Sequence, residues 1–96
     1  MKVEILDEAQ EDLLAGFRFY ESQSEGLGDY FLDSLFSDID SLQIYAGVHS
    51  VYFGYHRLLS RRFPFAIYYR VTRKTVRVHA GLDCRRDPAW IRDQLS

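Results

Sequence analysis

The spacing of apolar residues changes once along this chain, and that change limits the fold to one class. Up to Ala46 the period is helical. Leu6, Ala9, Leu13, Phe17 and Tyr20 form one stripe; Leu27, Phe31, Leu35, Ile39, Leu42 and Ala46 form a second. Ser24, Glu25 and Gly26 interrupt them, and so short a loop predicts an antiparallel helical hairpin. Glu8, Glu11, Asp12 and Glu21 are expected on the solvent side of the first helix, and Asp29, Asp33 and Asp40 on that of the second. Asp7, with Gln10 three residues on, predicts a capping box at the first helix start.

Beyond Gly47 the period becomes two. Residues 47–54 are irregular and aromatic and are expected to form a loop; 55–60, 63–71 and 76–83 are expected strands, with a turn at 72–75. A short strand over 2–6 precedes the helices. Asp87 and Pro88 predict an N-cap and a first-turn proline opening a last helix whose apolar side is Trp90, Ile91 and Leu95. The order is β-αα-βββ-α, an α+β arrangement with a helical hairpin packed on one face of a mainly antiparallel sheet. One domain over residues 1–96 is expected. The order leaves open where the first strand joins the sheet.

The net charge of −2 hides a division of the chain. Residues 1–48 carry eleven acids against Lys2 and Arg18, a net −9; residues 49–96 carry ten bases against Asp83, Asp87 and Asp93, a net +7. Ten of the twelve bases are arginine, the side chain suited to forked contacts with phosphate or carboxylate. The split fits charge-mixed solubility, the commoner case, or a basic surface for an acidic or phosphate-bearing partner. No stretch reaches the length of a membrane span. The opening MKVEILDEAQ turns acidic at once, unlike a secretory leader, and Cys84 is the lone cysteine, so a cytoplasmic protein is expected.

With Arg73 and Lys74 at a hairpin tip, Val71 pairs with Val76, Tyr69 with Val78 and Ile67 with Ala80 on one face. The other face pairs Arg70 with Arg77, Tyr68 with His79 and Ala66 with Gly81. That face could receive an anion, with Arg57 joining from the neighbouring strand. Ribonuclease chemistry needs a general base and a cation on the developing phosphorane charge. Ala66 and Gly81 supply neither, and a lone strand histidine such as His79 is more often structural. No catalytic set is therefore assigned. His49, His56, His79 and Cys84 show no metal-ligand spacing, so neither metal nor cofactor is expected. Arg85 and Arg86 beside Cys84 could lower its pKa, although most lone cysteines are inert.

The stretch from Arg61 through Phe63, Pro64, Phe65 and Ala66 to Tyr68, Tyr69, Arg70 and Val71 resembles the central strand signature of the RelE/ParE toxin superfamily, on its ParE-like side. Residues 24–32, Arg57-Leu58-Leu59 and the turn Arg85-Arg86-Asp87-Pro88 resemble further pieces in the family's order. The resemblance implies a RelE/ParE-like fold and the toxin of a type II toxin–antitoxin (plasmid stabilization) pair, neutralised by a cognate antitoxin. RelE-like members cut messenger RNA on the ribosome; ParE-like members poison DNA gyrase. Ala66 stands where ribonuclease members carry a catalytic arginine, and Asp83 or Cys84 where many carry a histidine. A gyrase-inhibiting binding toxin is thus favoured over a ribonuclease, with a degenerate toxin that only binds antitoxin as a third reading. The target- or anion-binding candidates are Arg57, Arg62, Tyr68, Arg70, Arg77, His79, Arg85 and Arg86. The antitoxin-binding candidates are Leu13, Phe17, Tyr20, Phe31 and Leu35, with Arg57 and Arg70. A ribbon-helix-helix antitoxin with an acidic C-terminal segment would suit this surface. Direct nucleic-acid or membrane binding is not expected.

Overall fold

The computed structural model describes all 96 residues. Strand β1 (Lys2–Ile5) leads into helix α1 (Asp7–Gln23) and helix α2 (Leu27–Asp40). A single turn, α3 (Leu42–Tyr45), follows. Strands β2 (Val51–Tyr52), β3 (Tyr55–Leu59), β4 (Phe65–Thr72) and β5 (Thr75–Asp83) precede helix α4 (Pro88–Leu95). The sheet order is β1-β5-β4-β3-β2, antiparallel except where β1 lies parallel to β5 along one edge. The expected class holds. Two small elements were not anticipated: the helical stripe breaks at Ser41, and the 47–54 loop contains the two-residue strand β2.

The helix starts differ from expectation. Leu6, not Asp7, is the N-cap of α1, and no side chain caps it; the Gln10 amide instead donates to the Ile5 carbonyl at 3.0 Å. Asp7 already lies in the first turn, where its charge favours the helix dipole. Glu21, partly exposed, accepts from the Gly26 and Gly28 N–H groups at 3.0 and 2.9 Å, which satisfies open donors at the start of α2. The expected cap at α4 is present: Asp87 Oδ1 accepts from Ala89 N–H at 2.7 Å, with Pro88 at the first position.

The two long helices approach closely because glycines face aromatics. A Cβ on Gly16 would lie 2.5 Å from the Phe31 ring, and one on Gly28 would lie 2.8 Å from the Phe17 carbonyl. Phe31 packs at this contact against Tyr20, Phe63 and Phe65, with ring centroids 4.9–5.1 Å apart. Leu13, Leu35, Ile39, Ile67, Tyr69, Val76 and Val78 complete this core.

The hairpin register follows expectation only near its tip. Val71 pairs with Val76, Arg70 with Arg77 and Tyr69 with Val78. Between Tyr68 and Tyr69 the register shifts, so that Tyr68 faces Ala80, Ile67 faces Gly81 and Ala66 faces Leu82. His79 is the extra residue of a β-bulge, and the expected pairs Tyr68–His79, Ile67–Ala80 and Ala66–Gly81 do not form. The bulge moves β5 side chains from one face to the other. Val76 and Val78 belong to the core under the helical hairpin, whereas Ala80 and Leu82 join Tyr55, Ala66 and Tyr68 beneath α4. Gly81 points back toward α1, where a Cβ would meet Leu13 at 3.3 Å.

Candidate functional site

The face opposite the helical hairpin carries most of the arginines singled out by sequence. Its centre is apolar: Ala66, Tyr68, Ala80 and Leu82 are buried under Ile91 and Leu95 of α4. The Tyr55 hydroxyl donates to the Leu95 carbonyl at 3.1 Å and ties the end of α4 to the sheet. Gly81 therefore does not share the centre of this face with Ala66, as the unbulged register had implied. Leu82 and Ala80 occupy that space.

Around this centre each arginine has an internal partner. Arg57 lies 4.0 Å over the Tyr52 ring, Arg70 3.9 Å over Tyr55 and Arg86 3.8 Å over Trp90; Arg62 lies 5.8 Å from Tyr30 on the other side of the sheet. Arg70 Nε also donates to the Gly54 carbonyl at 3.1 Å, and Arg77 Nε lies 3.5 Å from Glu4. These contacts draw Arg70 and Arg77 toward opposite sides and reduce the like-charge opposition that their pairing would impose. Arg85 grips Asp83 through two nitrogens at 3.0 and 2.7 Å, and this contact holds the Asp83 carboxyl below its usual pKa. Asp83 thus has a local task, fixing the turn into α4.

Burial raises the Tyr68 hydroxyl pKa, opposed by the neighbouring Arg57. His79 packs edge-on to Tyr55 at 5.0 Å; burial, then Arg70, lowers its pKa and favours the neutral imidazole. The arginines beside Cys84 could lower its pKa, against the inert thiol that is the commoner case. Burial instead raises it, outweighing Arg57 and Arg85.

The other candidates fall in the core. Leu13, Tyr20, Phe31 and Leu35 are buried and Phe17 is half-buried over Gly28, so the hairpin's open apolar surface consists of Leu14, Phe19, Tyr30 and Phe36. Sequence reasoning missed a larger patch at the β2 edge. Ile44 is 79% exposed and Val48 73%, and Tyr45, Val51, Tyr52, Phe53 and Leu59 are exposed beside them. A groove of 470 Å³ lined by Val48, Tyr52, Arg57 and Leu59 runs through this region. An open edge strand with apolar side chains invites a partner. Its signal was the cluster of Val48, Val51, Tyr52 and Phe53 in a stretch with neither a helical nor a strand period. The segment is held in place from beneath: the Tyr69 hydroxyl bonds to His49 Nδ1 and to Gly47 N–H, and His56 stacks on the Tyr69 ring.

No family model matches the sequence, and no curated protein matches it. Among solved structures, the chain is similar to a chain of the "Chromosomal ParDE TA system from P. aeruginosa", with a TM-score of 0.70. The two are 23% identical, over 84% of this chain and 92% of that one. The fold is ParE-like. Against that ParE-like frame, the bulge at His79 and the cover supplied by α4 define what the sheet face can offer: a rim of stacked arginines around an apolar centre.

Proposed function

We propose that this protein is the toxin of a type II toxin–antitoxin pair, that a cognate antitoxin holds it inactive, and that it acts by binding DNA gyrase rather than by cutting RNA. The observation that carries this reading is the closed centre of the sheet face. Acid–base catalysis on RNA needs a side chain within hydrogen-bond reach of the 2′-hydroxyl. Ala66, Ala80 and Leu82 offer none, and α4 covers them. The rim can still hold an acidic partner through Arg57 and Arg70, and the exposed β2 edge can take an extended segment by strand addition. The ParE-like fold supports the toxin class, and the similar chain of known structure comes from a toxin–antitoxin system. Gyrase enters through the family resemblance alone.

Induction in bacteria separates the readings. Gyrase cleavage complexes and a DNA-damage response are expected. Cuts in ribosome-bound messenger RNA without DNA damage would sink the proposal, and normal growth with tight antitoxin binding would leave a degenerate toxin. A neighbouring short reading frame encoding a ribbon-helix-helix protein with an acidic C-terminal segment is the expected partner. Arg57→Ala combined with Arg70→Ala should weaken antitoxin binding and toxicity at least tenfold. If both stay unchanged, the arginine rim is not the binding surface.

A further inference from the structure

Beside the Arg86 end of the rim, a cleft of 360 Å³ opens between α1, the outer edge of β5 and α4. Strand β1 ends at Ile5, so β5 has no strand neighbour on that edge beyond Val78. Asp12 takes the missing partner's place: its Oδ2 accepts from Gly81 N–H at 3.1 Å. The second carboxylate oxygen has no hydrogen-bond or ion-pair partner. Asp12 lines the cleft, and a cation there would pair with a carboxylate whose charged form burial disfavours. The cleft walls are aromatic. Phe19 is 53% exposed on one side and Trp90 stands on the other.

We propose that this cleft binds a guanidinium group, supplied by an arginine side chain of a protein partner. Trp90 already serves as a platform for one guanidinium, that of Arg86, at 3.8 Å. Phe19 offers a second ring with no cation on it, in the same cleft as Asp12. A planar, weakly hydrated guanidinium can stack on a ring while donating to a carboxylate, and a compact, strongly hydrated ammonium does both less well. The acids of α1 favour a cation at Asp12, against the charge of Arg86, which also lines the cleft. Glu8 and Glu11 on α1 add negative potential at Asp12. From β5 and the following turn, the Asp83 charge is taken up by Arg85, and Arg86 is held over Trp90. Gln94, which α4 contributes to the cleft, is neutral. Burial, with these two glutamates adding, raises the Asp12 pKa to about 6, so its charge is present at neutral pH and lost in mild acid. The proposal does not depend on the toxin reading.

Trp90 is the chain's only tryptophan, so its fluorescence reports on the cleft. Titration of the full-length protein with n-butylguanidinium should give a saturable change at pH 7.5. Binding should weaken at least tenfold at pH 5 and in Asp12→Asn, whose amide oxygen can still accept from Gly81. It should weaken several-fold in Phe19→Ala, and n-butylammonium should bind more weakly than the guanidinium. Absence of a saturable change overturns the site. Unchanged binding in Asp12→Asn or at pH 5 overturns the role of the carboxylate, and equal binding of n-butylammonium overturns the choice of arginine.

Discussion

Strands β4 and β5 are packed on both faces, but to different depths. Under α1 and α2 they belong to a cluster of 13 buried residues in which Phe31, Tyr20, Phe63 and Phe65 interlock; under α4 they belong to a cluster of 7 that rests on Ile91 and Leu95. The shallow face is bordered by Arg57, Arg70 and Arg77, with His79 in the bulge. The difference teaches where stability and binding reside. Glycine-mediated contact between α1 and α2 fixes the fold, and the face closed by one short helix is left to carry polar side chains at its margin.

The largest test of that division compares two truncations. Phe31→Ala removes the ring at the centre of the hairpin contact and should destabilise by about 3–5 kcal/mol, the range for fully buried aromatics. Leu95→Ala, near the end of α4, should fall at or below the lower end of the roughly 2–5 kcal/mol seen for buried leucines. Urea unfolding of both variants measures the gap. Equal losses would mean that the shallow face contributes as much to folding as the deep one, and the comparison would fail.

The deep face was legible in the sequence because helical and strand periods differ and each stripe ran long enough to fix its orientation. The shallow face was not. Residues 65–69 of β4 are buried on both faces, so alternation on that strand cannot say which side meets the hairpin. On β5 the even-numbered residues are all apolar, and a bulge at His79 sends Val78 and Ala80 to opposite faces without leaving any mark in the pattern. The role of α4 as a cover was equally hidden, since its apolar side is only three residues wide. Asp12 stood next to a core leucine and looked solvated. Its true setting depends on where β1 stops, a tertiary fact. The partners of Arg57 and Arg70 depend on Tyr52 and Tyr55, which flank a turn that only the two-residue strand β2 defines.

Asp12 lies at the border between the deep core and the outer edge of β5, and its ionisation should register there. Its folded pKa of about 6 lies above the ordinary 3.8. The folded state therefore holds a proton that the unfolded state releases between these values, and this contribution to stability falls as pH rises from about 4 to 6. Above pH 6 the charged carboxylate remains a burden. Asp12→Asn should be no more stable than the parent below pH 4 and more stable by on the order of 1 kcal/mol above pH 6, discounted for the solvent that reaches this half-buried group. Asp83, held low by Arg85, has the opposite dependence, losing stability as pH falls. It is present in both proteins, so it cancels in their difference. Thermal melts from pH 4 to 8 measure that difference, and one that stays flat across the range would remove the strain assigned to Asp12.

The smallest effect is expected at the rim, from Arg77→Ala. Its ion pair with Glu4, at 3.5 Å between half-exposed side chains, stabilises weakly, while its position opposite Arg70 opposes the pairing of β4 and β5. The two contributions have opposite signs, so the change in stability should stay within about 0.5 kcal/mol. A readout that separates a neutral substitution from an uninvolved one is the titration of His79 followed by NMR. Burial and Arg70 hold that imidazole pKa down, with Arg77 adding to them. Loss of Arg77 should move the titration upward while the melting temperature stays nearly fixed. A large loss of stability would instead make the rim part of the structural core, contrary to the division between the faces. A small change with His79 unmoved would show that Arg77 lies too far out in solvent to act on this face.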